Sequence, residues 1–214
     1  MQINVGCGRT PTNGWRNFDN SPSLLLSRIP VIATGLWQMG VLQREQYEFI
    51  QFARVNKIIY GDAIKGLPLR SGSVDAFYSS HLFHLLESSQ VARFLNEALR
   101  VLRPGGMIRI AVPDIQKLVA KYFESGDADT LVAGMRLSTP RPRSLSQYLR
   151  RHLRRVRSYQ WMYDGASLSG LLRAHGFVNA FEAPCGHSRI PAPGELDLCE
   201  RASESVYVEA EKPQ

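Results

Sequence analysis

The chain has 214 residues, of which 44% are hydrophobic and 21% are charged. These values suit a folded domain with a sizeable core and exclude an intrinsically disordered protein. The formal net charge of +7 is concentrated, because residues 130–163 contain eight arginines and no acidic residue, which leaves the remainder close to neutral. This arginine segment is either a solvated helix face or a contact surface for an anionic partner.

The sequence contains no segment that resembles a membrane span. The most apolar window, residues 24–42, is interrupted by Arg28 and Pro30, and it falls short of the ~20 continuous apolar residues that cross a bilayer. A strand-like pattern begins at the second residue, so no signal peptide is expected. Cys7, Cys185 and Cys199 have neither the paired spacing of a metal site nor that of a disulfide framework. We therefore expect a protein of the reducing cytoplasm that holds no metal.

Short apolar segments at regular spacing predict seven strands, at Ile3–Val5, Arg16–Asp19, Lys57–Tyr60, Val74–Ser79, Met107–Val112, Val178–Ala183 and Ser205–Glu211. Three helical patterns lie between them: Gln90–Leu102, a helix capped by Asp114 that runs to about Glu124, and one capped by Ser167 that runs to His175. Strands that alternate with helices predict an α/β fold with a doubly wound, mostly parallel, seven-stranded Rossmann-like sheet.

Two segments do not fit this alternation, namely residues 22–56 and 126–160. We expect both to be helical insertions, after the second and fifth strands, within a single domain that spans residues 1–214. Both would leave the same edge of the sheet, so they could form a lid over a substrate, apolar on one side and basic on the other. The alternative is a homodimer interface made by the apolar insertion, beside a solvated arginine helix.

A glycine turn follows the first strand. Gly6 and Gly8 allow the backbone to approach a ligand closely, but the third glycine of the dinucleotide fingerprint is replaced by Pro11. Only residues 6–15 separate the first two strands, which leaves little room for the usual first helix. A pyrophosphate therefore has a poor binding site here, whereas a sulfonium nucleoside does not require one.

Acidic residues end the second and third predicted strands. Asp19 can accept hydrogen bonds from both hydroxyls of a ribose, although it could equally cap the turn that follows it. Asp62 comes after the apolar strand and glycine of the sequence IIYGDA, where it would lie beside a bound base.

These features resemble the class I S-adenosylmethionine-dependent methyltransferases, and in particular the branch called methyltransferase type 11. The resemblance rests on the segments NVGCG, GWRNFDNSP, GDAIKGLPLRSGSVDAFYSSH, FLNEALRVLRPGGMIRIAVPD and ESVYVEAEKP. It implies that S-adenosyl-L-methionine is the cofactor, with Gly6, Cys7 and Gly8 at its methionine part, Asp19 and Asn20 at the ribose, Asp62 and Ala63 at the adenine, and Ser80 and His81 bordering the sulfonium.

The chain departs from the family pattern after the fourth strand. The family usually reads S-H-x-x-E-H, whereas here His84 replaces the glutamate and Leu85 replaces the second histidine. Methyl transfer depends mostly on alignment, and a general base is needed only for a weak nucleophile such as a hydroxyl. His81 and His84 are the candidate bases, although each could simply be a loop histidine that packs and forms hydrogen bonds.

An aromatic stretch, YQWMYDG, precedes the last predicted helix. Trp161 and Tyr163 could offer a flat face to a sugar or aromatic acceptor, or they could pack in the core. The branch that the chain resembles often accompanies surface-polysaccharide synthesis, so the resemblance implies methyl transfer to a small-molecule or carbohydrate acceptor. The alternatives are a nucleic-acid methyltransferase that uses the arginine segment and a non-catalytic cofactor-binding protein. An anionic membrane at the inner surface of the cell is a further candidate partner.

Overall fold

A computed structural model of the protein describes residues 1–135 and 159–214. Its centre is a seven-stranded sheet in the order β3-β2-β1-β4-β5-β7-β6. The strands are β1 (Gln2–Val5), β2 (Arg16–Asp19), β3 (Ile58–Tyr60), β4 (Val74–Ser80), β5 (Leu102–Pro113), β6 (Val178–Glu182) and β7 (Ser205–Glu211). Strands β1 to β5 pair in parallel, whereas β7 runs antiparallel to β5 and β6. The predicted Rossmann-like α/β sheet is confirmed, with one antiparallel strand that makes it mixed.

The described residues form α1 (Pro22–Leu26), α2 (Pro30–Gln38), α3 (Arg44–Val55), α4 (Ser88–Val101), α5 (Ile115–Ser125), α6 (Ala128–Met135) and α7 (Gly165–Ala174). The insertion after β2 is helical, as predicted, and α5 and α6 follow β5. All eight arginines of the arginine segment fall within residues 136–158, so predictions about that segment lie outside the described residues. In the part of the chain that the structure describes, no helix is both long and apolar enough to span a membrane.

Helix caps fix where the chain leaves the sheet. Asp114 caps α5 as predicted, because its carboxylate accepts a hydrogen bond of 2.9 Å from the Gln116 backbone N–H. The prediction for α7 was wrong by three residues. Asp164 is the cap and accepts from the Ser167 N–H at 2.7 Å, while the Ser167 hydroxyl accepts from the Asp164 N–H at 3.0 Å. The two side chains form a capping box in which Ser167 is the third helical residue.

The two faces of the sheet are covered differently. Helices α4 and α7 pack on one face and contribute Phe94, Leu95 and Leu172 to the larger core. On the other face no helix occurs between β1 and β2, where residues 6–15 form a turn, as the short spacing predicted. The connection between β6 and β7 covers that face instead, and its Ile190 and Leu196 pack there in a second apolar cluster.

Candidate functional site

The glycine turn lies at the carboxyl end of β1. Gly6 and Gly8 have φ values of +75° and +49°, a region that side chains other than glycine rarely adopt. A Cβ added at Gly6 would lie 2.7 Å from Cδ2 of Leu82, whereas one added at Gly8 would meet open space. The backbone N–H groups of Gly6 and Cys7 both donate to the Phe18 carbonyl of β2, at 2.8 and 3.1 Å. The turn is therefore fixed tightly against the neighbouring strand and is open on the Gly8 side.

Asp19 ends β2 beside this turn. Its Oδ2 accepts from the Gly8 N–H at 3.0 Å, and its Oδ1 accepts from the Ser21 N–H at 2.7 Å. Each carboxylate oxygen can accept about two hydrogen bonds, so both retain capacity for ribose hydroxyls. The carboxylate thus caps its own turn and orients the glycine turn at the same time.

The buried Cys7 side chain lies within the turn. Burial, together with the nearby charge of Asp19, raises the pKa of the Cys7 thiol to about 12. The side chain therefore stays a neutral thiol at physiological pH, which makes it a packing group rather than a nucleophile.

Asp62 and Ala63 follow β3 at the same edge of the sheet. The Asp62 Oδ1 accepts from the Ile64 N–H at 3.0 Å, and both residues line a cavity of about 10 Å³. The other residues that line this cavity are Val5, Gly6, Asn20, Gly61, Ile64, Leu82 and Phe94. The structure thus brings together the glycine turn, Asn20 and Asp62, the acid predicted to lie beside the adenine.

The residues around this cavity fit a nucleoside in their chemistry. Asp62 can accept hydrogen bonds from hydroxyl and amino groups, and Ala63 and Ile64 give the cavity an apolar wall. The space itself is smaller than a nucleoside. The Leu82 side chain lies close to Gly6 and lines this cavity.

The loop after β4 brings both candidate histidines to the carboxyl ends of β4 and β5. His81, next to Ser80, has a positive φ of +48°, and its N–H donates to the Ala111 carbonyl at 2.9 Å. Its Nε2 lies 2.8 Å from the Ser205 hydroxyl. His84 is only 2% exposed, and its ring centroid lies 5.7 Å from that of His81. Sequence reasoning missed Ser205, which is 124 positions away from His81 in the chain.

Trp161 and Tyr163 occupy different environments. The Tyr163 ring lies in the core, tilted against Phe83 at a centroid distance of 5.7 Å. The Trp161 side chain is 60% exposed, and its backbone N–H donates to the His84 carbonyl at 3.3 Å. The segment that carries Trp161 is therefore attached directly to the histidine loop.

A groove with a volume of about 530 Å³ runs between α4 and α7 beside Trp161. Its walls are formed by Leu86, Glu87, Ser88, Val91, Gln160, Trp161, Tyr163, Ser167, Leu171 and His175. The volume is in the range of small-molecule sites. Sequence reasoning placed only Trp161 and Tyr163 near an acceptor, because the pairing of the two helices has no local sequence signal.

The cysteine prediction was wrong in one respect. Cys185 and Cys199 form a disulfide within the β6–β7 connection, with their Cα atoms 4.9 Å apart, a separation typical of such bonds. Their spacing of 14 residues is not diagnostic on its own, so only the path of the connection reveals the pair. The expectation of a reducing compartment rested on the absence of such a bond and loses that support.

Comparisons with known proteins agree with this geometry. Residues 39–110 match the type 11 methyltransferase domain family. A methyltransferase of Thermotoga maritima, described as a possible histamine N-methyltransferase, has a similar structure with a TM-score of 0.50 and 15% identity, covering 99% of this chain and 82% of its own. A protein of Pyrococcus horikoshii gives a TM-score of 0.50 and 15% identity, with 99% and 81% covered. No curated protein matches the sequence.

The strand order is Rossmann-like and places the glycine turn, Asp19 and Asp62 at one edge of the sheet, where ligands bind in such folds. The match of residues 39–110 to a methyltransferase domain family, together with the shared fold, indicates an S-adenosylmethionine-dependent methyltransferase. S-adenosyl-L-methionine is its cofactor. The roles of the individual site residues remain predictions.

Proposed function

We propose that the enzyme transfers the methyl group to a hydroxyl of a carbohydrate acceptor that stacks on Trp161. The observation that carries this proposal is the groove of about 530 Å³ beside Trp161. Its wall begins at Leu86, two residues after the candidate base His84, so an acceptor in the groove lies next to the histidine loop. Exposed tryptophan rings suit the apolar faces of sugars because they offer a rigid, flat surface.

Polar groups along the groove suit sugar hydroxyls. Ser88 contributes a hydroxyl at the start of α4, and His175 contributes an imidazole at the end of α7. The His175 Nδ1 lies 2.9 Å from the Leu171 carbonyl, so Nδ1 carries the proton and Nε2 can accept a hydrogen bond. A mixed wall of this kind favours a polyhydroxylated acceptor over a purely apolar one.

The residues of this chain would bind the cofactor, align the acceptor and remove the proton of its hydroxyl. The cofactor supplies an activated methyl group, and the glycine turn, Asp19 and Asp62 would hold it at the ends of β1 to β3. Alignment alone can provide effective molarities of ~10⁵–10⁸ M. His81 is the first candidate base, because its loop follows β4 at the same edge of the sheet as the glycine turn and its Nε2 lies 2.8 Å from the Ser205 hydroxyl. His84, buried against Tyr159 at a centroid distance of 4.3 Å, supports the loop and is the second candidate.

An anionic membrane surface is the partner that we propose for α1 and α2. Large apolar side chains are exposed across these helices and the turn after them, namely Leu25, Ile29, Val31, Ile32, Met39 and Val41. Val31 is 82% exposed although it lies inside α2. Residues 21–44 contain no acidic residue and two arginines, Arg28 within the segment and Arg44 at its end, where Arg44 pairs with Glu48 at 2.8 Å. An apolar surface bordered by cations suits the interface of an anionic bilayer.

The acceptor proposal is tested by measuring the release of S-adenosylhomocysteine with panels of free sugars, sugar nucleotides, amines and oligonucleotides. We expect turnover with sugar hydroxyls. Trp161→Ala should then raise the acceptor KM by roughly three- to tenfold through lost stacking, with an unchanged cofactor Kd. Trp37→Ala, which removes a partly exposed tryptophan of α2, is the matched control and should leave the acceptor KM unchanged.

Two results would contradict the proposal. One is turnover with amines or oligonucleotides but with no sugar. The other is an equal effect of the two tryptophan variants on the acceptor KM, which would separate the groove from acceptor binding.

A further inference from the structure

The connection between β6 and β7 takes the place of the missing first helix. It covers the sheet face that carries Tyr78, Met107 and Tyr207, and its apolar residues pack there. In a βα unit a crossover helix would normally cover this face. The connection has no helix of its own among the described residues, so other interactions must hold it in position.

A buried ion pair fixes one part of the connection. Arg109 of β5 and Glu209 of β7 are both fully buried and lie 2.7 Å apart. Arg109 also donates to the carbonyls of His187 and Leu198, at 3.0 and 2.8 Å. Glu209 accepts from the Ser188 hydroxyl at 2.6 Å. These bonds tie the connection to the centre of the sheet, away from the glycine turn.

Glu200 links the end of the β6–β7 connection to the edge of the sheet where the glycine turn lies. It is 9% exposed, and its Oε2 accepts from the Tyr78 hydroxyl at 2.9 Å. Its Oε1 lies 3.5 Å from the Thr10 hydroxyl. The Thr10 N–H donates to the Cys7 carbonyl at 2.8 Å. The single hydroxyl proton of Thr10 is shared between the Cys7 carbonyl at 3.0 Å and the Glu200 Oε1 at 3.5 Å. Glu200 thus supports, through Thr10, the turn formed by Gly6, Cys7 and Gly8.

The disulfide restrains the backbone beside Glu200, whose carbonyl also accepts from the Tyr207 hydroxyl at 2.9 Å. Cys199 directly precedes Glu200, and the bond to Cys185 closes the connection over a separation of 14 residues. Cys185 is exposed and Cys199 is half-buried, so a small reductant can reach the bond. Reduction would increase the conformational freedom of residues 185–199 and would weaken the constraint on Glu200.

We infer that Glu200 is a positioning residue for the cofactor turn and that the Cys185–Cys199 disulfide holds it in place, so that reduction lowers cofactor affinity. The inference rests on the assignment of the glycine turn to S-adenosylmethionine. The redox step is an exchange with a dithiol reductant. The S–S bond of the protein breaks, each cysteine gains one electron and one proton, and the dithiol closes to its own disulfide.

The test is the Kd of S-adenosylhomocysteine, measured by calorimetry on the oxidised protein and after dithiothreitol, at a temperature where circular dichroism shows both to be folded. We expect reduction to weaken binding by roughly three- to tenfold, the effect of one lost hydrogen bond. Cys185→Ser should match the reduced protein and should not respond to dithiothreitol.

Glu200 variants separate positioning from general stability. Glu200→Ala should weaken binding to the same extent, whereas Glu200→Gln, which keeps an acceptor for Tyr78, should restore most of it. Glu204→Ala removes a nearby carboxylate that is partly exposed and should have no effect. Reduction of the Glu200→Ala variant should weaken cofactor binding only slightly further, because the mutation and the reduction both act on the contact between Glu200 and Thr10.

An oxidised and a reduced protein with equal Kd values would overturn the inference, as would additive effects of reduction and Glu200→Ala. No binding of S-adenosylhomocysteine to the oxidised parent would instead refute the assignment of the turn, so the two failures are distinguishable.

Discussion

Replacement of Asp19 tests the cofactor site most directly. Its two oxygens accept from the N–H groups of Gly8 and Ser21 and retain capacity for the ribose. Loss of the carboxylate removes at least one hydrogen bond to a charged acceptor, which contributes about 1.5–3 kcal/mol. Asp19→Ala should therefore weaken binding of S-adenosylmethionine and S-adenosylhomocysteine by about 10–100-fold. Asp19→Asn should lose almost as much, because its amide N–H₂ would face a backbone N–H group.

Calorimetry with both nucleosides and with NAD measures this effect. Asp75→Asn is the control, since it neutralises a carboxylate near the amino end of β4, where Asp75 pairs with Arg103 at 2.6 Å. We expect normal nucleoside binding in this control and no NAD binding in any variant, because Pro11 removes the third glycine. An unchanged Kd in Asp19→Ala would show that Asp19 only caps a turn. Tight NAD binding without nucleoside binding would refute the cofactor site itself.

The remaining predictions concern the histidines, the free thiol and the apolar helices. With a hydroxyl acceptor, His81→Ala should lower kcat by roughly 10²–10⁴-fold, a larger effect than its weakening of cofactor binding. Parental activity in both His81→Ala and His84→Ala would exclude a histidine base. Because burial raises the pKa of Cys7 to about 12, thiol titration at pH 8 should find no reactive group in the native protein, one in urea and three in urea with reductant. Rapid native labelling would contradict the buried, neutral state of Cys7. The protein should co-sediment with anionic but not with neutral vesicles, and high salt should weaken this vesicle binding. The double variant Val31→Ser, Ile32→Ser should also bind anionic vesicles more weakly. No vesicle binding together with a stable dimer would favour the homodimer interface.

Local patterns predicted most of the sheet. Most strands contain a short apolar run bounded by turn residues, so all seven were recognisable, although β5 begins at Leu102 and not at the predicted Met107. Pro11 and the short spacing after β1 correctly indicated the missing helix. The acids Asp19 and Asp62 were placed by the same reasoning, because residues that follow parallel strands meet at one edge of the sheet. The cap of α7 was wrong because Asp164 and Ser167 are both good caps, and the choice between them depends on where the helix leaves the sheet.

The sequence by itself determined the fold class, the glycine turn and the edge at which the cofactor acids meet, since these follow from local periodicity and from residues adjacent to strands. Only the tertiary structure decided which distant side chains meet there: Ser205 at His81, Glu200 at Tyr78, the Cys185–Cys199 disulfide, and the groove that α4 and α7 form beside Trp161. These contacts depend on strand order and on the path of the β6–β7 connection. No local pattern encodes either of them, because they are set by which surfaces remain to be buried once the sheet has formed.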